Sequence, residues 1–213
     1  MKTSNSQGQV PLIKRDQGFL RFISRGTYSN VSTLQLAERD KLRVILDFFG
    51  IILYLVDSVY QHLKKRKTNV TRTSIENVAN ALTGKFPDVT FDFSKVNLLV
   101  GTLASPSAAM HHADDEENLT FSWSACTQSN SNKSDELMAM IYCPATEGFW
   151  CEQNLGIRRA DGFCTIGVPY DFRGSEIHVW LAYRSADRRS NSNSSYMGKV
   201  FIPKTEDHGK FQE

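Results

Sequence analysis

The sequence predicts an α+β fold in which an N-terminal helical hairpin precedes an antiparallel β-sandwich. Three observations lead there. Apolar residues recur every three or four positions from Leu36 to Val59, and again from Ile75 to Leu82. From Val89 onward the period falls to two. The second half then carries six or seven short runs separated by turn-rich spacers, without strand–helix–strand alternation, which is the pattern of a sandwich.

Residues 1–32 read as an arm. Its apolar pieces, Phe19-Leu20 and Phe22-Ile23, are split by Arg21, so it is either extended or a hairpin. The helical hairpin is expected over 33–86. Its first helix runs from about 34 to 63, with Ser32 or Thr33 as N-cap. Counted from Thr33, the capping box is incomplete, because Leu36 stands where a glutamate would close it. Gly50 allows close packing or a bend. The run Lys64-Lys65-Arg66-Lys67 suits a helix C-terminus, where positive charge meets exposed carbonyls. A polar turn around Asn69 to Thr71 leads to a second helix from about 73 to 83. Gly84 stops it and Pro87 closes the segment.

The sandwich is expected over 87–203, followed by a tail at 204–213. Val89, Phe91 and Phe93 begin it, and Val96, Leu98 and Val100 form a second alternating set. A loop with an acidic end, ASPSAAMHHADDEEN, comes next. The clearest half-buried strand is Asn118–Cys126, with Leu119, Phe121 and Trp123 on one face. Further strands are expected at 136–143, 148–151, 162–168, 176–185 and 196–202. In the run 176–185, Ile177, Val179, Leu181 and Tyr183 share one face, and His178, Trp180 and Ala182 the other. Ser185 to Ser195 reads as a long polar hairpin loop, explained locally by turn-forming Asn, Asp and Ser.

Composition narrows the function. Hydrophobic residues make up 40% and charged residues 23% of the 213, which suits a folded chain. Net charge is +2, but residues 1–100 hold 15 Lys/Arg against 8 Asp/Glu, and the remainder 10 against 15. Such polarity can favour an acidic partner or association between copies. Within the apolar segment LRVILDFFGIILYLVDSVY, the longest uncharged run, FFGIILYLV, has nine residues between Asp47 and Asp57. A membrane-spanning helix needs about 20, so a core helix is expected and no transmembrane segment. No apolar leader follows the N-terminus, and a cytoplasmic location is the expectation. Cys126, Cys143, Cys151 and Cys164 show no CxxC pair, which speaks against structural zinc and for reduced, mostly buried thiols.

Several motifs recur together in a known arrangement. Ala81-Leu82-Thr83-Gly84, Phe86-Pro87-Asp88, Asp92-Phe93-Ser94-Lys95-Val96 and the stretch from Val179 to Gly198 resemble, in order, the motifs of an uncharacterised domain-of-unknown-function family common in Bacteroidota. The resemblance covers about Thr33 to Ile202. It implies a helical segment followed by an Ig-like β domain, and no activity. Two departures stand out. The Gly-rich N-terminal segments of relatives are missing here, and the Gly that follows the Asp of their SAD motif is replaced by Arg188-Arg189.

Candidate chemistry is sparse. His111 and His112 with Asp114 and Asp115 combine imidazole and carboxylate, a donor set that suits a divalent metal. Adjacent loop residues often point apart, and no helical spacing converges them. A thiol nucleophile would pair Cys143 or Cys164 with His178. No GxSxG elbow is present. Glu147, Glu152, Asp161 and Asp171 fall at turns, with no spacing that selects a glycosidase pair. Lys64, Lys65, Arg66 and Lys67 could meet phosphates, but aromatic platforms and a recognition helix are missing, so nucleic acid is not expected. Arg188, Arg189 and Trp180 are candidate partner contacts. The expected function is therefore a non-enzymatic structural or protein-interaction role without a cofactor, with a protein partner or a second copy. The alternatives are a metal-dependent hydrolase on the His111/His112 loop and a carbohydrate- or surface-binding module with an exposed Trp180.

Overall fold

The computed structural model describes residues 9–13, 20–24, 32–60, 67–85, 87–111, 117–124 and 130–204. The chain divides into two units, Met1–Arg39 and Asp40–Glu213. In the first, β1 (Gln9–Ile13) and β2 (Leu20–Ser24) pair antiparallel, with Gln9 opposite Ser24 and Ile13 opposite Leu20. The described part of the arm is thus a hairpin.

Helix α1 (Thr33–Val59) starts in that unit and continues into the second. Ser32 sets its start. The Ser32 hydroxyl accepts from Gln35 N–H at 3.2 Å, and the Gln35 side chain accepts from Ser32 N–H at 3.2 Å. The capping box is therefore complete, one residue earlier than Thr33 and with glutamine in the glutamate role. Ile45, Phe48, Phe49, Ile52, Leu55, Val56 and Val59 form the buried face. The helix ends at Val59, short of the expected 63. Helix α2 (Lys67–Asn80) corrects the expected span of 73 to 83: the polar segment 69–71 is helical. Gly84 does not stop a helix. It lies in β3 (Leu82–Lys85), which pairs antiparallel with β4 (Asp88–Phe91). Its φ is +86°, and an added Cβ would lie 2.2 Å from the Asp88 carbonyl oxygen, so only glycine fits.

Two further expectations fail for local reasons. Asp92 interrupts the alternation after Phe91. Its carboxylate accepts from Ser94 N–H at 3.2 Å and meets Lys95 Nζ at 2.8 Å, capping a single 3-10 turn at Phe93–Lys95. The run Val96 to Val100 is no strand, because its N–H groups find side chains instead of a neighbouring ladder: Leu98 N–H donates to Ser194 Oγ and Val100 N–H to the Tyr60 hydroxyl. The loop expected before Asn118 contains β5 (Ala108–His111).

The remaining strands are antiparallel and lie close to expectation: β6 (Asn118–Trp123), β7 (Glu136–Cys143), β8 (Gly148–Glu152), β9 (Phe163–Gly167), β10 (Ser175–Arg184) and β11 (Ser195–Ile202). They form two sheets, β5-β6-β9 and β11-β10-β7-β8. In immunoglobulin-like lettering this order is A-B-E against G-F-C-C′, an Ig-like sandwich. Leu119 and Phe121 of β6, Leu137 and Ile141 of β7 and Val179 and Leu181 of β10 meet between the sheets.

The other face of the four-stranded sheet is buried as well. Met138, Met140 and Tyr142 of β7 and Trp180 and Ala182 of β10 pack with α1, Val78 of α2 and Val96, Leu98 and Leu99. Helices, central sheet and outer sheet are thus three layers with two cores. This explains the unbroken apolar run of β7, LMAMIYC, since a strand covered on both faces has no solvent side to alternate towards.

A polar seam closes the helical layer. The Tyr60 hydroxyl bonds both the N–H and the carbonyl of Val100 at 2.7 Å, and Asn191 Nδ2 donates to the same carbonyl at 3.1 Å. Ser194 Oγ accepts from Leu98 N–H at 2.8 Å, and Asn193 Oδ1 from Gly101 N–H at 2.9 Å. Leu103 N–H donates to Asn191 carbonyl at 3.1 Å, and Ser192 Oγ accepts from Tyr183 N–H at 2.8 Å. The stretch SNSNSS is therefore no free polar loop. Asn191 and Ser192 are buried, and their side chains and backbone supply the partners that residues 97–103 would otherwise find in a ladder.

Candidate functional site

The cations and metal donors expected from sequence do not assemble among the described residues. Lys64, Lys65, Arg66, His112, Asp114 and Asp115 lie outside them, and Lys67 opens α2. His111 ends β5, where Nε2 lies 3.0 Å from Ser122 Oγ. Among the described residues, no group of three or more His, Cys, Asp or Glu could hold a metal ion.

Trp180 is a correction. It is fully buried, its indole N–H donates to the Val96 carbonyl at 2.9 Å, and Tyr196 and Phe93 flank it at 5.2 and 6.3 Å. It builds the core beneath the helices and meets no partner. Arg188 and Arg189 are exposed on the turn after β10, but the turn is built from within. Asp187 Oδ1 accepts from Ser185 Oγ at 2.6 Å and from Arg189 N–H at 3.1 Å, which holds its carboxyl below the usual range. The Arg188 guanidinium donates to Asn154 Oδ1 at 3.1 Å.

Arg188 itself sits at φ +59°, a region that costs an L-residue about 1–2 kcal/mol. The glycine of the resembled motif fits this backbone. Arg188→Gly is therefore expected to raise stability by about 0.5–1 kcal/mol in spite of the lost Asn154 contact, whereas Arg188→Val lowers it by about as much. Urea denaturation midpoints at constant m-value measure both; a midpoint lower in the glycine variant would contradict the account.

The thiol reading has no geometry behind it. Cys143 and Cys164 are buried between the two sheets, whereas His178 is on the opposite face of β10. There His178 lies 4.1 Å from the Phe93 ring, and its Nδ1 is 2.8 Å from the Tyr196 hydroxyl. Burial lowers its pKa and keeps the ring neutral. Burial pushes the Cys164 thiol up to about 11 and the Cys151 thiol up to about 12, away from the nucleophilic thiolate. Cys143, Cys151 and Cys164 are all free. Two of the four turn carboxylates are engaged locally: Glu152 accepts from Asn154 N–H at 2.8 Å and Asp161 from Arg158 N–H at 2.7 Å.

Described residues also line concave regions. A cleft of about 580 Å³ is lined by Arg43, Asp47, Phe48, Phe91, Tyr142 and Glu147, among others. Burial raises the Tyr142 phenol, and Glu147 adds to the shift. A polar pocket of about 490 Å³ includes Asn130, Asn132, Asp135, Ser185 and Asp187. Its deepest charge is already matched. Asp135 Oδ2 meets Arg159 Nε at 3.2 Å and Asn132 N–H at 2.8 Å, and the Arg159 guanidinium lies 3.7 Å from the Tyr183 ring centroid. This is a supporting post for the loops.

Sequence reasoning expects a sheet edge or the N-terminal arm to engage a partner, but does not say which strand is the edge. β9 borders the three-stranded sheet. Gly162 carbonyl and Val168 N–H bond towards β6, so by antiparallel alternation Phe163, Thr165 and Gly167 turn their N–H and C=O outwards. The strand reads FCTIG, without charge or proline, and Phe163 is 66% exposed. The other edges are better defended. β11 carries Lys199, paired to Glu176 at 2.9 Å, and its register slips between Val179 and Trp180; β5 has four residues, and β8 ends in Glu152. The signal in sequence was the lack of charge in FCTIG, but its position at an edge depends on the strand order.

Comparison with known proteins gives a family and little else. The model of a family described as "Family of unknown function (DUF6266)" matches residues 17–198. No curated protein matches the chain. A crystal structure of chicken CNTN1 FN1–FN3 domains is similar at 6% identity and a TM-score of 0.34, over 49% of this chain and 34% of that one. The sandwich assignment rests on the strand order of the chain itself. No described helix is long and apolar enough to cross a membrane.

Proposed function

We propose that this chain, which belongs to the DUF6266 family of unknown function, is a non-enzymatic protein-interaction module that takes an extended segment of its partner onto the free edge of β9. The observation that carries this reading is the uncharged edge FCTIG with Phe163 exposed upon it. A row of unpaired N–H and C=O groups is a template for an added strand, and natural sheets usually blunt such rows with lysine, proline or a bulge. Backbone bonds would supply affinity, and Phe163 would select an apolar side chain on the incoming strand.

Selection of a displayed library of short peptides on the immobilised protein tests the reading. Enriched peptides are expected to lose at least about tenfold in affinity, some 1.4 kcal/mol, on the Thr165→Pro variant, which removes an outward donor and leaves the backbone ladder to β6 in place, with the loss of the Thr165–Thr120 hydroxyl contact at 3.0 Å. Phe163→Lys is expected to act likewise. Peptides that bind both variants as well as the parent protein would rule out the β9 edge.

A further inference from the structure

The cleft beside helix α1 holds two polar groups that the fold leaves unmatched. The first is the hydroxyl of Tyr142, a residue that lines the cleft and is only 7% exposed. Its ring packs edge-on with Phe48 at 5.1 Å and lies 5.5 Å from Phe93. The hydroxyl has no hydrogen-bond partner among the described residues. Buried tyrosines normally find one, as Tyr60 does on Val100 and Tyr196 on His178. The second is the carboxylate of Glu147, which lines the same cleft and pairs with no cation among the described residues. Its charge adds to the burial that raises the Tyr142 phenol, so the two groups stand near each other.

Glu147 is also held at φ +49°, a left-handed backbone that asparagine tolerates and glutamate avoids. Conformations of this kind gather at functional sites, where the side chain they present is put to use. Asp47 of α1 is the other carboxylate of the cleft, and Arg43 meets it at 3.6 Å. One negative charge is therefore left over. The walls beside it are apolar: Phe48, Ile51 and Phe91. The volume of about 580 Å³ falls within the range of about 300–1,000 Å³ usual for small-molecule sites.

We propose that this cleft binds a small organic amine in its protonated form, with the ammonium group between the Glu147 carboxylate and the Tyr142 hydroxyl and the apolar body against Phe48, Ile51 and Phe91. The ammonium N–H groups donate to the carboxylate and to the phenol oxygen, so both orphaned acceptors are satisfied at once. An anion would meet the surplus negative charge. A neutral apolar ligand would displace water from both groups and return nothing to them. Aromatic walls favour a cation further. The cleft lies on the helical side of the four-stranded sheet and β9 lies in the other sheet, so the inference stands or falls independently of the β9 edge.

Titration of the full chain with phenethylamine near neutral pH, followed by amide NMR shifts, tests it. Saturable binding is expected with a Kd of about 1 mM or tighter. Phenethyl alcohol has the same shape without the charge, and phenylacetate reverses the charge; each is expected to bind at least about tenfold more weakly. Glu147→Asn removes the carboxylate and suits the left-handed backbone, so affinity should fall at least about tenfold while the urea midpoint holds or rises. Tyr142→Phe keeps the packed ring and deletes only the hydroxyl, and should weaken binding at an unchanged midpoint. No saturable shift, equal affinity for phenethyl alcohol, parental affinity in either variant, or a lower midpoint in Glu147→Asn would each overturn the inference. Nα-acetyl-lysinamide offers the same ammonium on a peptide side chain. Tighter binding of it than of phenethylamine would make the occupant a partner's lysine and overturn the small-molecule assignment.

Discussion

Replacing Gly101 with alanine is expected to cost about 3 kcal/mol of stability, unusually much for one methyl group on a half-exposed segment. The new Cβ would lie 1.8 Å from the Asn191 carbonyl oxygen and 2.4 Å from its carbon. The obstacle is backbone, so no side-chain rotation relieves it. Either residues 97–103 or the Asn191–Ser194 stretch must withdraw, and with them the bonds of Gly101 N–H to Asn193, Leu103 N–H to Asn191 and Ser194 N–H to Leu99 carbonyl. Buried groups left unpaired cost about 1–3 kcal/mol each. Urea denaturation of the purified variant reads this as a fall in midpoint at constant m-value. A loss below about 1 kcal/mol would show that the two segments part easily, and the seam would then be no structural lock.

Truncating Trp180 to alanine is expected to cost about 3–5 kcal/mol, or a Tm lower by about 10 °C. The side chain is fully buried, and its loss opens a cavity between β10 and α1 and leaves the Val96 carbonyl without its donor. Phenylalanine keeps most of the volume and forfeits the hydrogen bond, so Trp180→Phe should cost about 1–2 kcal/mol. Thermal unfolding followed by circular dichroism compares the three proteins. Equal stability of the alanine variant would contradict the burial. The same placement bears on the carbohydrate-binding alternative: a ligand lost on Trp180→Ala would report a damaged core rather than a missing contact.

The sheet was legible in the sequence where local pattern decides. Strand β7 was expected over its observed span, and the two sides of β10 were assigned as the structure has them, because alternation is local. What lay under each side was illegible. His178, Trp180 and Ala182 read as a face that could be wet, and α1 covers it; a pattern of period two says which residues share a side and nothing about what that side meets. Residues 96–100 misled because they bond to the side chains of Tyr60, Trp180 and Ser194, which lie 40, 84 and 96 positions away in sequence, and no local propensity encodes that. The edge position of β9 depends on its pairing with β6, some forty residues earlier, and composition shows only that such an edge would be undefended.

The seam that ties Leu98 and Gly101 to Ser194 and Asn193 has a consequence for the order in which a ribosome makes the chain. Helix α1 emerges before the strands that cover it, with Ile52, Leu55 and Val56 destined for burial. The strands that cover it, β7 and β10, follow some eighty and more than one hundred residues later, and Asn193 and Ser194, which latch the layer, come after β10. The helical layer therefore waits with its apolar face uncovered until β7 and β10 are made, so folding is governed by long-range closure and by whatever shields that face in the meantime. A chain cut before Ser194 would lose the latch together with β11 and could not complete the fold.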